Sequence, residues 1–398
     1  MCRELKDSGI PWIGEIPERW GIDTIGNLYT LRTEKVSDKD YAPLSVTKMG
    51  IVPQLETAAK TDDGDNRKLV RVGDFAINSR SDRRGSCGIS AYDGSVSLIN
   101  LVLTPRGQMY PRFYNWLFHT ELFADEFYKW GHGIVDDLWT TRWQEMKRIS
   151  IVSPSYQEQQ RIAEFLDRKC AEVDEMIALQ EQIIEELKAY KQSVITETVT
   201  KGLNPDAPMR DSGIEWIGSI PEHWEVARLK FYASIDSGDA ISNEQIDRDG
   251  EYPVFGGGEI MGFYSQYNTG EDKLIIGRVG ARCGCVTMPK QKCWASDNAL
   301  VLKSCLPLKY TYHLLQAINL NRLNTSNAQP LITATKVKNV FIPLTPPTEQ
   351  QAIADYLDEK CADIDNLIQT KQSKIDSLKE YKKSIIYEYV TGKREVNE

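Results

Sequence analysis

The stretch "DSGIPWIGEIPERW" (Asp7–Trp20) occurs a second time as "DSGIEWIGSIPEHW" (Asp211–Trp224), 204 residues later. A second pair of matching stretches follows the first. "EQQRIAEFLDRKCAEVDEMI" begins at Glu158, and "EQQAIADYLDEKCADIDNLI" begins at Glu349, 191 residues later, and the two match without a gap. The 398-residue chain is therefore a tandem repeat, and every other feature of the sequence has to be interpreted within that repeat.

Both of the later stretches have the apolar pattern of long helices. Apolar residues recur at steps of three, four and seven, which is the heptad pattern of a coiled coil. Each pattern covers about 40 residues, or roughly 60 Å of helix. Each helix could pack on its own domain alone, but equal lengths and matching seams favour pairing of the two helices. The seam positions are Ile162, Leu166, Val173, Ile177, Ile184, Leu187 and Val194, and Ile353, Leu357, Ile364, Ile368, Ile375, Leu378 and Ile385.

The two regions between the repeated stretches share little sequence but have the same type of pattern. Short β-branched runs bounded by glycine, such as "FAINSRSDRRGSCGIS" and "KLIIGRVG", predict strands, and "PRFYNWLFHTELFADEFYKW" and "YTYHLLQAINLNRL" predict helices. The predicted fold class is mixed α+β. An alignment that places Arg80 opposite Arg278 and Cys87 opposite Cys283 requires two inserted residues in the first copy. The predicted domains are 1–152, a first spacer helix over 153–202, a linker and second domain over 203–343, and a second spacer helix over 344–398.

Composition and local motifs indicate the cellular compartment of the protein. The sequence has no run of about 18 apolar residues and no apolar signal-peptide core. Its eight cysteines are spread along the chain without the spacing of a disulfide framework. Together these features predict a cytoplasmic protein with reduced thiols.

The charge is distributed unevenly. The formal net charge is −9, yet residues 273–338 contain ten Lys or Arg and one acid, Asp297. The first variable region contains the cluster "NSRSDRRGS", with Arg80, Arg83 and Arg84. Scattered Lys and Arg side chains usually only keep a surface hydrated. Ten of them against one acid predict a local positive surface of the kind that contacts phosphates.

Motifs for catalysis or cofactor binding are not found in the sequence. It has no P-loop and no HExxH motif. "FGGGEIMG" (Phe255–Gly262) lacks the strand–GxGxxG–helix context of a dinucleotide site and predicts a turn. The spacing of Cys283, Cys285, Cys293 and Cys305 matches no familiar zinc motif, so buried thiols are favoured over a metal site. We predict no catalytic residue, no metal and no cofactor.

Taken together, these motifs resemble one family. Two copies of DSGI-x-WIG-x-IP-x-x-W, two of EQQ-x-IA-x-[FY]LD, the linker "VTKGLNP" and "GRVGARCG…SDNALVL" look like the DNA specificity subunit of a type I restriction–modification system, over essentially the whole chain. The resemblance implies two target recognition domains, each reading one half of a split DNA sequence in the major groove, and an antiparallel two-helix coiled coil that spaces them. It also implies two methyltransferase subunits and motor–nuclease subunits as partners, and no enzymatic activity of this subunit itself.

The resemblance suggests roles for individual residues. Arginine suits guanine and phosphate, and lysine suits phosphate. An arginine common to both copies would fit phosphate or structure, so base readers are expected among unshared residues, namely Asn78, Arg83, Arg84 and Gln266. The full set of predicted DNA contacts is Asn78, Arg80, Arg83, Arg84, Gln266, Arg278, Arg282, Lys290, Lys292, Lys336 and Lys338. The tryptophans of the repeated stretch are expected to dock each domain onto a helix end, or alternatively to contact the methyltransferase; these are Trp12, Trp20, Trp216 and Trp224.

Two functions of other classes remain open at this point. The chain could carry its own nuclease or methyltransferase activity, which the missing motifs argue against. It could also be a coiled-coil scaffold without a DNA role, which the basic region 273–338 argues against.

Overall fold

The computed structural model describes residues 4–55, 64–133, 139–324 and 330–396. The chain divides into two compact units. Unit 1 comprises Met1–Leu179 and Lys374–Glu398, and unit 2 comprises Gln180–Ser373. Each unit therefore contains one variable region together with a part of each predicted long helix. The division falls inside both helices and not at the predicted domain boundaries, which stay predictions.

Both heptad segments are helices, as predicted. The first long helix runs over Tyr156–Lys201 and the second over Pro347–Val390. Most seam residues are buried; Leu166 and Leu357, for example, are 0% exposed. In the part of the chain that the structure describes, no helix combines the length and apolar character needed to cross a membrane.

Within each unit, the two long-helix segments run antiparallel. In unit 1 the Lys382 ammonium lies 2.6 Å from the Asp174 carboxylate, and the rings of Phe165 and Tyr389 are 4.4 Å apart. In unit 2 the Lys191 ammonium lies 2.7 Å from the Asp365 carboxylate, and Gly202, just after the first long helix, lies close to Glu349 at the start of the second. Asp174 and Asp365 are 191 residues apart, as are Lys191 and Lys382, so one ion pair is formed twice by repeat-equivalent residues.

Unit 1 is built on a four-stranded antiparallel sheet, in the order β10 (Cys87–Ile89), β9 (Phe75–Asn78), β12 (Asn100–Pro105) and β4 (Tyr29–Leu31). Phe75–Asn78 (β9) is buried on both faces. On one face the Phe75 ring lies 5.0 Å from that of Phe118 on a helix, and on the other face Ala76 packs with strand residues such as Ile51. The strands are β1 Leu5–Asp7, β2 Glu15–Pro17, β3 Gly21–Thr24, β4 Tyr29–Leu31, β5 Lys35–Val36, β6 Leu44–Thr47, β7 Gly50–Pro53, β8 Arg67–Val70, β9 Phe75–Asn78, β10 Cys87–Ile89, β11 Gly94–Val96, β12 Asn100–Pro105 and β13 Ser150–Ser153. The shorter helices are Ile25–Leu28, Ser81–Arg83 (3-10), Pro111–Phe118, Glu121–Lys129 and Trp143–Met146.

Unit 2 repeats this sheet. The strand order is β21 (Val286–Thr287), β20 (Leu274–Gly277), β23 (Ala299–Ser304) and β17 (Ala233–Ser237), which correspond in turn to β10, β9, β12 and β4 of unit 1. Its strands are β14 Met209–Asp211, β15 Ser219–Pro221, β16 Glu225–Arg228, β17 Ala233–Ser237, β18 Tyr252–Phe255, β19 Ile260–Tyr264, β20 Leu274–Gly277, β21 Val286–Thr287, β22 Trp294–Ala295, β23 Ala299–Ser304 and β24 Phe341–Leu344. The shorter helices are Leu308–Ile318 and Ala334–Lys338, with 3-10 turns at Leu229–Phe231, Asn243–Gln245 and Leu320–Leu323. The mixed α/β prediction is confirmed, and the two variable regions share a topology despite their different sequences.

One carboxylate on each long helix holds the domain helix that follows β12 or β23, namely Pro111–Phe118 or Leu308–Ile318. In unit 1, Asp167 accepts a hydrogen bond from Trp116 Nε1 at 2.9 Å and forms an ion pair with Arg112. In unit 2, Asp358 lies 191 residues after Asp167; it accepts from His313 Nε2 at 2.8 Å and pairs with Lys309 at 2.6 Å. In both units a cation and an N–H donor one turn later on the domain helix share one acid.

The repeated Trp-rich stretch packs where the start of one long helix meets the end of the other. Trp20 and Trp224 are each 1% exposed. Trp224 Nε1 donates to Glu349 Oε2 at 2.9 Å, at the start of the second long helix. A Cβ atom on Gly202 would lie 3.0 Å from the Trp224 ring, and one on Gly392 would lie 2.8 Å from the Trp20 ring. Glycine, at φ +75° and +74°, therefore lets both tryptophans close over the helix ends.

We expect the shared acid to stabilise each unit. Asp358→Asn and Asp167→Asn keep the size of the side chain but remove the ionic acceptor from two donors, so each should lower the free energy of unfolding by about 1–3 kcal/mol. Urea denaturation followed by tryptophan fluorescence measures the effect. Asp363→Asn, at an exposed position of the same helix, is the control and should change stability by less than about 0.5 kcal/mol. Equal stability of Asp358→Asn and the control would contradict the docking role.

We also expect the stability to fall in mild acid. Burial lowers the pKa of His313 below its ordinary 6.5, and the hydrogen bond to Asp358 only partly offsets this. The unfolded chain then binds more protons than the folded chain, so the stabilisation is complete above about pH 6.5 and is lost as the pH falls towards the folded-state pKa. Burial gives His119 of unit 1 the same direction of shift.

The pH dependence can be assigned with two variants. His313→Gln, which keeps an N–H donor near Asp358, should reduce the loss of thermal stability between pH 7.5 and 5.5. His132→Gln, at a side chain that is 69% exposed, should leave that loss unchanged. An unchanged loss in His313→Gln would rule out His313 as its source.

Candidate nucleic-acid interface

The predicted arginines lie on one loop at the same edge of the sheet in each unit. In unit 1 the loop connects β9 to β10 and carries Arg80, Arg83 and Arg84. In unit 2 the loop connects β20 to β21 and carries Arg278 and Arg282. The structure therefore brings together, within each unit, the arginines that the sequence singled out.

The sheet register corrects the alignment of the two loops. Asn78 pairs with Asn100, and its counterpart Gly277 pairs with Ala299; both pairs are related by 199 residues. At this offset Arg278 corresponds to Ser79, and Arg80 corresponds to Val279. The bridges of Arg80 and Val279 to the following segment, at Thr140 and Leu331, agree with this register. The predicted equivalence of Arg80 with Arg278 and of Cys87 with Cys283 is wrong, and the loops have equal length without an insertion.

Arg83 and Arg282 are the equivalent pair instead. Their side chains are 69% and 58% exposed, and each lies near one carboxylate. Arg83 Nε is 3.5 Å from Asp82, and Arg282 Nε is 2.5 Å from Glu259. The expectation that Arg83 is unshared between the copies is therefore wrong.

Other predicted residues in these loops contact their own unit. Asn78 is buried, and its side-chain oxygen accepts a hydrogen bond from the Arg80 backbone N–H at 3.0 Å, so its amide shapes the loop and does not face outward. Arg84 forms an ion pair with Asp125. Arg278 donates to Ser237 Oγ at 3.1 Å and to the Asp297 carbonyl at 3.3 Å.

The glycine-rich turn between β18 and β19 lies beside the β20–β21 loop of unit 2. The sequence predicted the turn but not its contact with the loop. The glycines of "FGGGEIMG" separate β18 from β19, so the predicted turn is confirmed. A Cβ atom on Gly257 would lie 2.5 Å from the Val279 carbonyl, and one on Gly258 would lie 2.8 Å from Arg282 Cβ. Glycine is thus needed for the turn to approach the loop, and the turn supplies Glu259 to Arg282. A run of glycines before an acid was the signal that could have found this contact.

The remaining lysines form separate patches. Lys292 lies 4.4 Å over the Tyr267 ring and donates to its hydroxyl at 3.2 Å, which raises the pKa of the lysine. Lys290 and Gln266 are exposed nearby in sequence. Lys336 donates to the Leu323 carbonyl at 3.0 Å, and Lys338 is half-buried in the last turn of the same short helix.

The other predicted groups are placed as follows. Trp12 packs edge-on against Phe123, with ring centroids 6.1 Å apart. Trp216 donates to the Phe341 carbonyl at 3.1 Å and lines an open groove of about 580 Å³ together with Arg322. Among the described residues, no three His, Cys, Asp or Glu side chains are grouped to hold a metal ion. Burial raises the pKa of the Cys283 thiol.

Comparison with known proteins shows which proteins the chain is similar to. Residues 221–380 match the family described as type I restriction modification DNA specificity domain. A putative type I restriction enzyme MjaX specificity subunit of Methanocaldococcus jannaschii is 24% identical over 423 aligned positions, covering 96% of this chain and 95% of the relative. The chain is thus similar to type I restriction enzyme specificity subunits. The type I restriction enzyme EcoprrI specificity subunit of Escherichia coli is 33% identical over 129 residues, 31% of this chain and 32% of that protein.

Solved structures share the fold of this chain. A chain from a study of complex assembly and conformational transition of the type I R-M system superposes with a TM-score of 0.73 at 16% identity, over 94% of this chain and 98% of that one. The HsdS subunit from Thermoanaerobacter tengcongensis gives 0.53 at 17% identity, over 95% and 98%. The resemblance inferred from the motifs is confirmed, and the known role of the family is recognition of a DNA target.

The lysine over Tyr267 provides a test of phosphate contact. Lys292→Gln should weaken binding of the assembled complex to target and unrelated DNA equally, because a phosphate contact carries no sequence information. The slope of log K against log salt concentration should fall in magnitude by about 0.9. Lys230→Gln is the matched control, since Lys230 also lies over an exposed ring, Phe231, at 5.2 Å, beyond the far end of β17. Equal slopes in the two variants would contradict a phosphate contact at Lys292.

Proposed function

We propose that this chain directs a type I restriction–modification complex to a split DNA target, each unit reading one half in the major groove. One observation carries this proposal: a single chain builds the same α/β sheet twice, with the same basic loop at the same edge, and docks each copy on a long helix through a repeat-equivalent aspartate. Two readers of unlike surface within one chain can recognise two unlike half-sites in a fixed order.

The loops suit direct readout of bases. An exposed arginine on a short loop can enter the major groove and bond guanine or phosphate. Arg83 and Arg282 are the most exposed arginines of the two loops, and each lies near a carboxylate, Asp82 or Glu259. DNA phosphates could replace those surface carboxylates at little cost, because exposed ion pairs are weak.

The long helices serve as the spacer in this proposal. They contain 46 and 44 residues, which is roughly 65–70 Å of helix at 1.5 Å per residue. The antiparallel ion pairs found within each unit support a two-helix coiled coil that relates the copies by a pseudo-two-fold. Half-sites read by such a molecule would be a constant number of base pairs apart, of the order of one helical turn, roughly 34 Å. The target recognition domains then correspond to 1–152 and 203–343.

The proposed partners are two methyltransferase subunits, which the spacer docks, and motor–nuclease subunits that complete the restriction complex. The similarity to a chain solved in a type I complex-assembly study supports this assignment. We infer that the chain itself is not an enzyme and needs no cofactor, and that it acts in the cytoplasm, where the DNA and its partners are.

Methylome sequencing tests the function directly. The chain is expressed in a methylation-free host with its cognate modification subunit, and the modification subunit alone and the chain alone are the controls. We expect methylation at one split motif with a fixed spacer, only when both subunits are present.

Each other outcome contradicts a specific part of the proposal. Methylation by the chain alone would show that it is an enzyme. An assembled complex that methylates no split motif would favour a scaffold without DNA reading.

A further inference from the structure

The loops after β9 and β20 share several backbone hydrogen bonds. Three bonds recur at the 199-residue offset, with nitrogen to oxygen distances that agree within 0.2 Å. The first bond runs from Asn78 N to Ser86 O and from Gly277 N to Cys285 O, at 2.9 Å in both units. The second runs from Arg84 N to Ser81 O at 3.2 Å and from Cys283 N to Gly280 O at 3.0 Å. The third runs from Ser86 N to Arg83 O and from Cys285 N to Arg282 O, at 3.0 Å in both units.

A glycine closes both loops in the same conformation. Gly85 has φ +75° and its counterpart Gly284 has φ +87°, in the left-handed region that other residues avoid. The arginine two positions before this glycine, Arg83 or Arg282, therefore lies in the part of the loop whose hydrogen bonds and closing glycine both units share. Its charge and position do not differ between the copies.

The three positions before the shared arginine differ completely. Unit 1 has Arg80-Ser81-Asp82 and unit 2 has Val279-Gly280-Ala281. The first set offers a guanidinium, a hydroxyl and a carboxylate, and the second offers only methyl groups and backbone. Asp82 and Ala281, next to the arginine, are both exposed. The two loops thus carry a polar and an apolar surface at corresponding positions, and their backbones differ at Ser81 and Gly280.

We propose that 80–82 and 279–281 are specificity-determining triplets, and that Arg83 and Arg282 position each loop on a phosphate. This inference rests on the proposed function. A contact made by both readers suits the phosphate, which is the same in both half-sites, whereas a contact that differs suits the bases. Arginine and aspartate suit the guanine and cytosine of a G·C pair, and alanine or valine suits the thymine methyl of an A·T pair.

The test for the triplets is a one-way transfer. The variant Arg80→Val/Ser81→Gly/Asp82→Ala places the apolar triplet in unit 1. Glycine at position 81 can adopt the backbone conformation that Ser81 has there. The reverse transfer is avoided because Gly280 has φ +77°, which serine would strain. In the methylome assay we expect one half of the motif to change or to lose a G·C preference by at least about fivefold, while the other half stays the same. The milder Asp82→Asn should relax that half alone.

The test for the shared arginines uses binding as well as methylation. Arg83→Ala and Arg282→Ala should leave the methylated motif unchanged, weaken binding to target and unrelated DNA by the same factor, and lower the salt slope by about 0.9 each. Arg106→Ala and Lys303→Ala are matched controls, since these exposed residues lie near the opposite ends of β12 and β23 from the loops. Both controls should keep the wild-type slope.

The outcomes separate this inference from the function on which it rests. If the wild-type complex gives no split motif, the proposed function fails. If the wild type gives a split motif and the triple variant gives the same motif at the same efficiency, the triplets do not read bases. If Arg83→Ala changes the motif, the division between phosphate and base contacts is overturned.

Discussion

The fold depends on one half-buried carboxylate in each unit, Asp167 or Asp358. It stands on a long helix and is shared by a cation and an N–H donor one helical turn apart on the domain. A partly desolvated carboxylate is stable only where its donors are in place, so the contact fixes both the position and the rotation of the domain on the helix. The donor differs, being Trp116 in one unit and His313 in the other, but the acceptor and the spacing do not.

Around this contact the two units have kept their framework and changed their surfaces. The sheet order, the register and the hydrogen bonds of the loop recur, because buried strands and closed loops tolerate few backbone alternatives. Exposed loop side chains have no such restriction. Under the proposed function, the triplets beside Arg83 and Arg282 are among the exposed positions where the two readers differ.

Much of this organisation could be predicted from the sequence, but the use of individual charges could not. The ten bases of 273–338 indicated a positive surface, yet Lys309 pairs with Asp358, Arg322 lies 5.3 Å over the Trp216 ring and Lys336 binds a backbone carbonyl. Asn78 was expected to face DNA and is buried. Net charge adds all side chains together, whereas each contact depends on which residues the fold brings within a few ångströms.

Local periodicity and motifs that recur along the chain were enough to predict the repeat, the two long helices, the mixed α/β class and the similarity to type I specificity subunits. Which residues of the two copies correspond became clear only from the strand pairing. Arg80 and Arg278 look equivalent when the two sequences are aligned. The strand pairing shows instead that Arg278 corresponds to Ser79, and that Arg282 corresponds to Arg83. Equivalence in a sheet is set by hydrogen bonds between strands distant in sequence, and a one-residue shift in register reverses which face each side chain occupies.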